Sequence, residues 1–346
     1  MAEVRRKEHN KKPGVCYAVT DDGLELPVVD VTHPAFAPSV DETRQGARLT
    51  QFLAEQRRFA QMPSWLRSVL LRFFMRGSRI GRGLRRAEGH FLDGMTTYLF
   101  KVGPQNLGSY AVPVDRRILM SLPAISVRLR LTDMAELLAD SLAPGLAAAA
   151  RRPLHFINIA GGPAMDSLNA LIVLRQKQPP LLDERRIEVQ VLDGDEHGPA
   201  FGARALVALQ APGAPLAGLD IGFKHTRYDW ANTSSLTPVL ESAQRERAVV
   251  AVSSEGGLFE YGSDDDILAN LTALRHGDGN AAFIVGSVTR DDEVIRTLKL
   301  TSTAATHPRG LAVFGALVAQ AGWRVARSVA RPLSDQVLLE PEARSH

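Results

Sequence analysis

The chain has 346 residues, 45% of them hydrophobic, enough to bury a large core, so disorder throughout is excluded and one large or two unequal domains are expected. With 41 Lys and Arg against 38 Asp and Glu, the net charge of +3 does not by itself imply nucleic acid. The single cysteine, Cys16, excludes an internal disulfide and a thiolate zinc cluster.

In chain order, residues 1–14 are charged, nearly free of apolar groups and expected to be a disordered tail. No apolar h-region follows them, and no apolar run of about 18 residues occurs anywhere, so a soluble, cytoplasmic protein is expected. The runs VCYAV and LELPVVDV around Asp22-Gly23 predict a small hairpin over 15–31, and HPAFAPS reads as a loop. Residues 41–88 read as helical, with breaks at Pro63 and near Gly77, Gly81 and Gly83. Between Gln56 and Ala87 stand nine arginines (Arg57, Arg58, Arg67, Arg72, Arg76, Arg79, Arg82, Arg85, Arg86) and no acid, interleaved with Trp65, Leu66, Val69, Leu70, Phe73 and Phe74. That is a basic amphipathic helix pair, whose apolar side packs on the main domain or whose basic side meets an anionic surface, nucleic acid or membrane. The Gly, aromatic and amide mix of FLDGMTTYLFKVGPQNLG suggests a lid. TDMAELLADSLAP then predicts a helix from near Thr132 to Pro144. Residues 15–148 form a mostly helical N-terminal region.

From residue 150 to 341 short apolar strands alternate with helical patterns, as in a βαβ sheet. Strands are expected at 155–160, 187–192, 219–224, 248–253, 281–288, 323–328 and 336–340. Only ARPLSD separates the last two, too short for a crossover helix, so they pair antiparallel. The expected fold class is α/β: a Rossmann-like, seven-stranded, mostly parallel sheet with a terminal antiparallel hairpin, preceded by the helical region.

Four strand ends carry candidate chemistry. HFINIA runs into GGPAMD, a glycine turn opening a helix, where backbone can approach a ligand and helix N–H groups are free. VLDGDEHG places Asp193, or in competition Asp195, where a carboxylate can accept from both hydroxyls of a ribose. HTRYDWAN offers Asp229 flanked by Tyr228 and Trp230, with a helix cap or turn as the plainer role of Asp229. AVVAVSSEGGLFEYGSDDD ends a strand at Ser253, Ser254 and Glu255, while Ser263 with Asp264, Asp265 and Asp266 reads as a helix cap and acid-rich first turn rather than a metal site.

The order of these parts resembles the class I S-adenosylmethionine-dependent methyltransferases. Glu255, Gly256 and Tyr261 are similar to the Glu-Gly-x-x-x-Tyr signature of the leucine carboxyl methyltransferase-like branch, with Gly257 inserted into the run. The resemblance implies S-adenosylmethionine as cofactor, with Asn158, Ala160, Gly161, Gly162 and Asp166 around its methionyl end, Asp193 or Asp195 on the ribose, Tyr228, Asp229 and Trp230 about the adenine, and Ser253, Ser254 and Glu255 beside the sulfonium. Methyl transfer is an in-line displacement from an already activated donor, so few catalytic groups are required. If the acceptor must lose a proton, Tyr98, His225 and Tyr261 are candidates, with Tyr228, His307 and His90 behind them. A small-molecule acceptor with an O, N or S nucleophile is expected, the arginines admitting an anionic one such as an amino acid or other carboxylate-bearing metabolite, and an RNA or protein acceptor less so. An NAD(P)-dependent oxidoreductase shares the glycine turn and the strand-2 acid but lacks G-x-G-x-x-G here. A non-catalytic binding protein is the third reading, since Asn158 stands where the family pattern has an acid.

Overall fold

The computed structural model describes residues 11–37, 45–63, 65–66, 69, 77–86, 92–149, 151–276, 282–302 and 304–342. The chain opens on the expected hairpin, β1 (Tyr17–Val19) and β2 (Glu25–Pro27), paired antiparallel through a turn in which Gly23 takes φ 78°. Helix α1 (Gln45–Gln61) stops before Pro63, and α2 (Arg79–Arg86) starts after Gly77 at φ 81°. Gly81 and Gly83 lie inside α2, contrary to the expected breaks there. A Cβ at Gly83 would collide with the Thr96 side chain, so the glycine lets α2 sit directly on α3 (Gly94–Val102). Asp93 caps α3, its Oδ1 accepting the Thr96 N–H at 2.6 Å.

After α4 (Pro113–Leu119) comes α5 (Leu122–Ala148), 27 residues and so about 40 Å long. It starts ten residues before the expected Thr132 and runs through Pro144. The proline removes one N–H donor at a cost of about 3 kcal/mol. Leu142, Ala143 and Leu146 around it are buried, and each leucine is worth about 1.5–3 kcal/mol, so packing decides.

The seven-stranded sheet then forms. Its strands are β3 (Leu154–Ile159), β4 (Ile187–Asp193), β5 (Ile221–Arg227), β6 (Val249–Ser254), β7 (Phe283–Thr289), β8 (Trp323–Ala330) and β9 (Ser334–Pro341), in spatial order β5-β4-β3-β6-β7-β9-β8. All neighbours are parallel except β9, which runs antiparallel to β7 and β8. The crossovers are α6 (Met165–Lys177), α7 (His197–Leu209), α8 (Leu236–Arg245), then α9 (Leu258–Tyr261) with α10 (Asp264–His276), and finally α11 (Glu293–Lys299) with α12 (Gly310–Gln320). The strand order reverses between β3 and β6, which opens a crevice at their carboxyl ends.

Alternate strand residues feed opposite faces. Leu154 and Phe156 join a cluster that includes residues of α2, α3, α5 and α6, whereas Ile157 and Ile159 join one with α8, α10 and α12. The N-terminal helices therefore share one apolar core with the sheet. Of the Arg-rich segment, Arg58, Arg82, Arg85 and Arg86 are exposed, Arg57 pairs with Glu293, and Arg79 pairs with Asp22 at 2.7 Å. Trp65 is 67% exposed and Val69 56%, so these two do not pack inward as their pattern suggested. Arg67, Arg72, Arg76, Leu70, Phe73 and Phe74 lie outside the described residues. Among the described residues no helix is long and apolar enough to cross a membrane.

Candidate active site

A cavity of about 470 Å³ opens at the carboxyl ends of β3, β4 and β6. Its floor is the turn after β3. Ala160, Gly162 and Ala164 take φ of 55°, 56° and 54°, the left-handed region, which for each alanine costs about 1 kcal/mol. A Cβ at Gly161 would collide with the Asn158 side chain. The turn is also closely roofed. A Cβ at Gly94 would lie 3.1 Å from the Gly162 Cα, and one at Gly198 would lie 3.0 Å from it. The first turns of α3 and α7 thus meet the loop almost backbone to backbone, which brings the N-terminal region onto the site.

Asp193, at the end of β4, lines the cavity with its carboxylate fixed by the backbone. Oδ2 accepts the Gly162 N–H at 2.8 Å and Oδ1 the Asp195 N–H at 2.8 Å. Burial pushes its pKa up; the two N–H bonds oppose that, and Asp195 adds to it. Asp195 also lines the cavity, while accepting from the N–H groups of His197 at 3.1 Å and Gly198 at 3.2 Å, so it caps α7. Beyond β5, Tyr228, Asp229 and Trp230 form a third wall. The Tyr228 hydroxyl donates to Asn270 Oδ1 at 2.5 Å, and Asn270 Nδ2 donates to the Trp230 carbonyl at 2.8 Å, which pins the loop. Asp229 is exposed and accepts the Ala231 N–H at 3.1 Å, a turn role combined with a place in the wall.

The fourth wall is a buried charge network. Glu255 Oε2 accepts from Lys101 Nζ at 2.6 Å and Oε1 from Arg130 Nε at 3.2 Å, while Arg130 Nη1 reaches Glu260 Oε1 at 3.0 Å. Ser287 Oγ donates to the same Glu260 oxygen at 2.9 Å and accepts the Gly256 N–H at 2.9 Å. Gly256 takes φ 67°, and a Cβ there would crowd the Arg130 guanidinium. Lys101, Glu255, Gly256, Gly257 and Tyr261 face the cavity. Burial, and then Glu260, push the Tyr261 hydroxyl up to about 12, with Arg130 opposing.

Several expected site residues are placed elsewhere. Asn158, Asp166 and Ser253 are fully buried beneath the turn, where Asn158 Nδ2 donates to Asp166 Oδ1 at 2.7 Å, Ser253 Oγ at 2.9 Å and Ser167 Oγ at 3.1 Å. They brace the floor and are not among the residues that line the cavity. Burial, and then Glu255, raise Asp166 to about 6, with Lys101 opposing. Ser254 Oγ accepts the Leu258 N–H at 3.0 Å and so caps α9. Tyr98 is buried away from the cavity, its hydroxyl donating to the Pro27 carbonyl at 2.5 Å and accepting the Val29 N–H at 3.2 Å; it ties the hairpin to α3. The His225 ring sits 2.9 Å from the Asp193 carbonyl through Nε2, outside the lining. His307 is exposed, and its backbone N–H donates to the Glu260 carbonyl. His90 lies outside the described residues. Ser263 and Asp266 form the expected cap, Ser263 Oγ accepting the Asp266 N–H at 3.1 Å and Asp266 Oδ2 the Ser263 N–H at 2.9 Å. Among the described residues no group of three or more His, Cys, Asp or Glu side chains converges as a metal site.

Lys101, Arg130 and Glu260 were not anticipated. The signal for Lys101 was a lone cation inside MTTYLFKV, and for Arg130 one of two arginines inside ISVRLRLT. An amphipathic surface helix would carry such residues too, so only the fold distinguishes them.

No family model and no curated protein matches the chain. Among solved structures, it is similar to that of a possible exported protein from Bordetella parapertussis, at 19% identity and a TM-score of 0.55, over 89% of this chain and 100% of that one. At that identity the likeness is one of fold. A looser overlap, at a TM-score of 0.36 and 16% identity over 66% of this chain and 61% of that one, is with NcsB1, an O-methyltransferase from neocarzinostatin biosynthesis solved with S-adenosylhomocysteine and 1,4-dihydroxy-2-naphthoic acid. Another, at 0.38 and 10% identity over 62% and 79%, is with the 1,6-didemethyltoxoflavin-N1-methyltransferase of Burkholderia thailandensis.

Proposed function

We propose that the chain binds S-adenosylmethionine in this cavity and transfers its methyl group to a small molecule. The observation that carries the reading is how Asp193 sits on the glycine turn. Its two oxygens accept the Gly162 and Asp195 N–H groups, and of the roughly four lone-pair sites of a carboxylate about two remain for the vicinal hydroxyls of a ribose. The Gly162 N–H is committed to that carboxylate instead of being free for a phosphate, as a dinucleotide site requires. The wall carries Asp193, Asp195, Asp229 and Glu255 against Lys101 and Arg227. That excess of acid suits a sulfonium cation and opposes a pyrophosphate, which weighs against the nicotinamide reading. Tyr228, Asp229 and Trp230 then take the adenine side, and Gly161 and Glu255 the methionyl side.

When bound, the cofactor supplies an activated methyl group; the chain's own task is to align the acceptor and exclude water. Gly94, Thr97 and Lys101 share one face of α3 toward the cavity, at spacings of three and four. Residues 15–148 are accordingly the acceptor-covering part and 150–341 the cofactor-binding part. The run of Glu255, Gly256 and Tyr261 keeps the leucine carboxyl methyltransferase-like branch as the finer affiliation.

Calorimetric titration with S-adenosylmethionine, S-adenosylhomocysteine, NAD and NADP tests this. The two sulfur ligands are expected to bind in the micromolar range. Asp193→Ala should weaken them at least about tenfold, since hydrogen bonds to a charged group contribute about 1.5–3 kcal/mol. Binding of a nicotinamide cofactor in their place would overturn the reading.

A further inference from the structure

We infer that Lys101 is a subsite for an oxygen anion on the methyl acceptor, so that the acceptor is an oxygen acid, a carboxylate or an acidic phenol or enol, taken up already ionised. This rests on the cofactor reading above and adds the acceptor's chemical class to it. Lys101 is 2% exposed, yet it belongs to the cavity wall. It stands in α3 between Phe100 and Val102, both buried, where an apolar residue would pack without desolvating a charge. An ammonium carries three N–H donors. One goes to Glu255 at 2.6 Å, which leaves two for a ligand oxygen on the cavity side. Glu255 is held independently by Arg130 Nε at 3.2 Å, so the carboxylate has a partner without Lys101.

Tyr261, Asp193 and Asp195, which share the wall, point the same way. Tyr261 keeps its proton, with burial and Glu260 pushing its hydroxyl up to about 12. Asp193 and Asp195 are each tied to backbone N–H groups. An acceptor that arrives as an anion asks no proton removal of these residues; the Lys101 N–H groups not used by Glu255 supply its donors, and the sulfonium supplies its counter-charge. In the transfer a bond forms from the acceptor oxygen to the methyl carbon and the sulfur–methyl bond breaks with its electron pair left on sulfur. The anion and the sulfonium are both neutralised, and no proton is released.

The test is calorimetry on protein saturated with S-adenosylhomocysteine, using benzoate and 4-nitrophenolate as probes against their uncharged counterparts benzamide and nitrobenzene. The wild type should bind the anions at least about tenfold more tightly than the neutral pair. Lys101→Met should erase that preference and Lys101→Arg retain it, with S-adenosylhomocysteine affinity changed less than anion affinity in the methionine variant. Anions that bind the wild type no better than the neutral probes, or not at all, overturn the inference, and this comparison stands even if the methionine variant fails to fold. Loss of S-adenosylhomocysteine affinity in Lys101→Met, matching the loss for anions, also overturns it, because Lys101 would then serve the cofactor's own carboxylate. Failure of the wild type to bind S-adenosylhomocysteine at all would instead sink the cofactor reading, before any probe is added.

Discussion

Asp166 makes the sharpest energetic prediction. It is fully buried, its Oδ2 has no hydrogen-bond partner, and it faces the field of Glu255, so its pKa rises from 3.8 to about 6. At about 1.36 kcal/mol per unit, that rise corresponds to about 3 kcal/mol. The folded chain holds this proton more tightly than the unfolded one, so between pH 3.8 and about 6 the unfolded state binds fewer protons and stability falls as pH rises. The contribution is fully present below pH 3.8 and gone above about 6, where a folded chain carries a buried, half-satisfied carboxylate. Asp166→Asn removes the titration while its amide oxygen can still accept from Asn158 Nδ2. Urea denaturation of both proteins at pH 5 and pH 8 isolates the effect, because other titrating groups cancel in the difference. The variant should gain on the wild type between the two pH values by about 1.4 kcal/mol, the part of the contribution that is still present one unit below the folded pKa. A difference that stays flat with pH, or that moves toward the wild type at pH 8, would refute the placement of Asp166 as a buried acid whose hydrogen bonds only partly offset its burial.

Arg130→Met should cost about 3–5 kcal/mol in the same assay, since it strips Glu260 of its cation and leaves Glu255 with Lys101 alone. Trp323→Ala should cost a similar 3–5 kcal/mol, because the indole is fully buried and its Nε1 donates to the Leu271 carbonyl at 3.0 Å. His197 is exposed and meets Asp21 at 2.6 Å, and that hydrogen bond is the main cause of its raised pKa. His197→Ala should therefore destabilise the hairpin only slightly, as expected of a surface pair. The difference should be present below the ordinary histidine range and vanish as pH rises past it, which thermal melts at pH 5.5 and 8.5 would show.

Strand placement was legible because buried parallel strands read as short apolar runs between turn residues. Observed bounds lie within a few residues of those expected, and ARPLSD alone was enough to make β8 and β9 antiparallel. The hairpin at Gly23 and the Ser263 cap were legible for the same reason: their determinants are local. Helix α5 was not, because Pro144 is a local stop signal that Leu142 and Leu146 override only by facing a core supplied from elsewhere. Gly81 and Gly83 misled likewise, their lack of a side chain serving close helix packing instead of a break.

The sequence by itself determined the alternation of strands and helices, the glycine turn after β3 and the carboxylate at the end of β4, since each follows from residues near one another in the chain. Only the tertiary structure decided which polar residues face the cavity. Asn158, Asp166 and Ser253 sit at strand and helix ends that a linear reading assigns to a ligand, yet they are sealed under the turn, while Lys101 and Arg130 arrive from α3 and α5 to meet Glu255 over 154 and 125 residues of separation. Charge partners so distant in the chain leave no periodic trace in it, because their pairing depends on how the N-terminal helices cover the sheet.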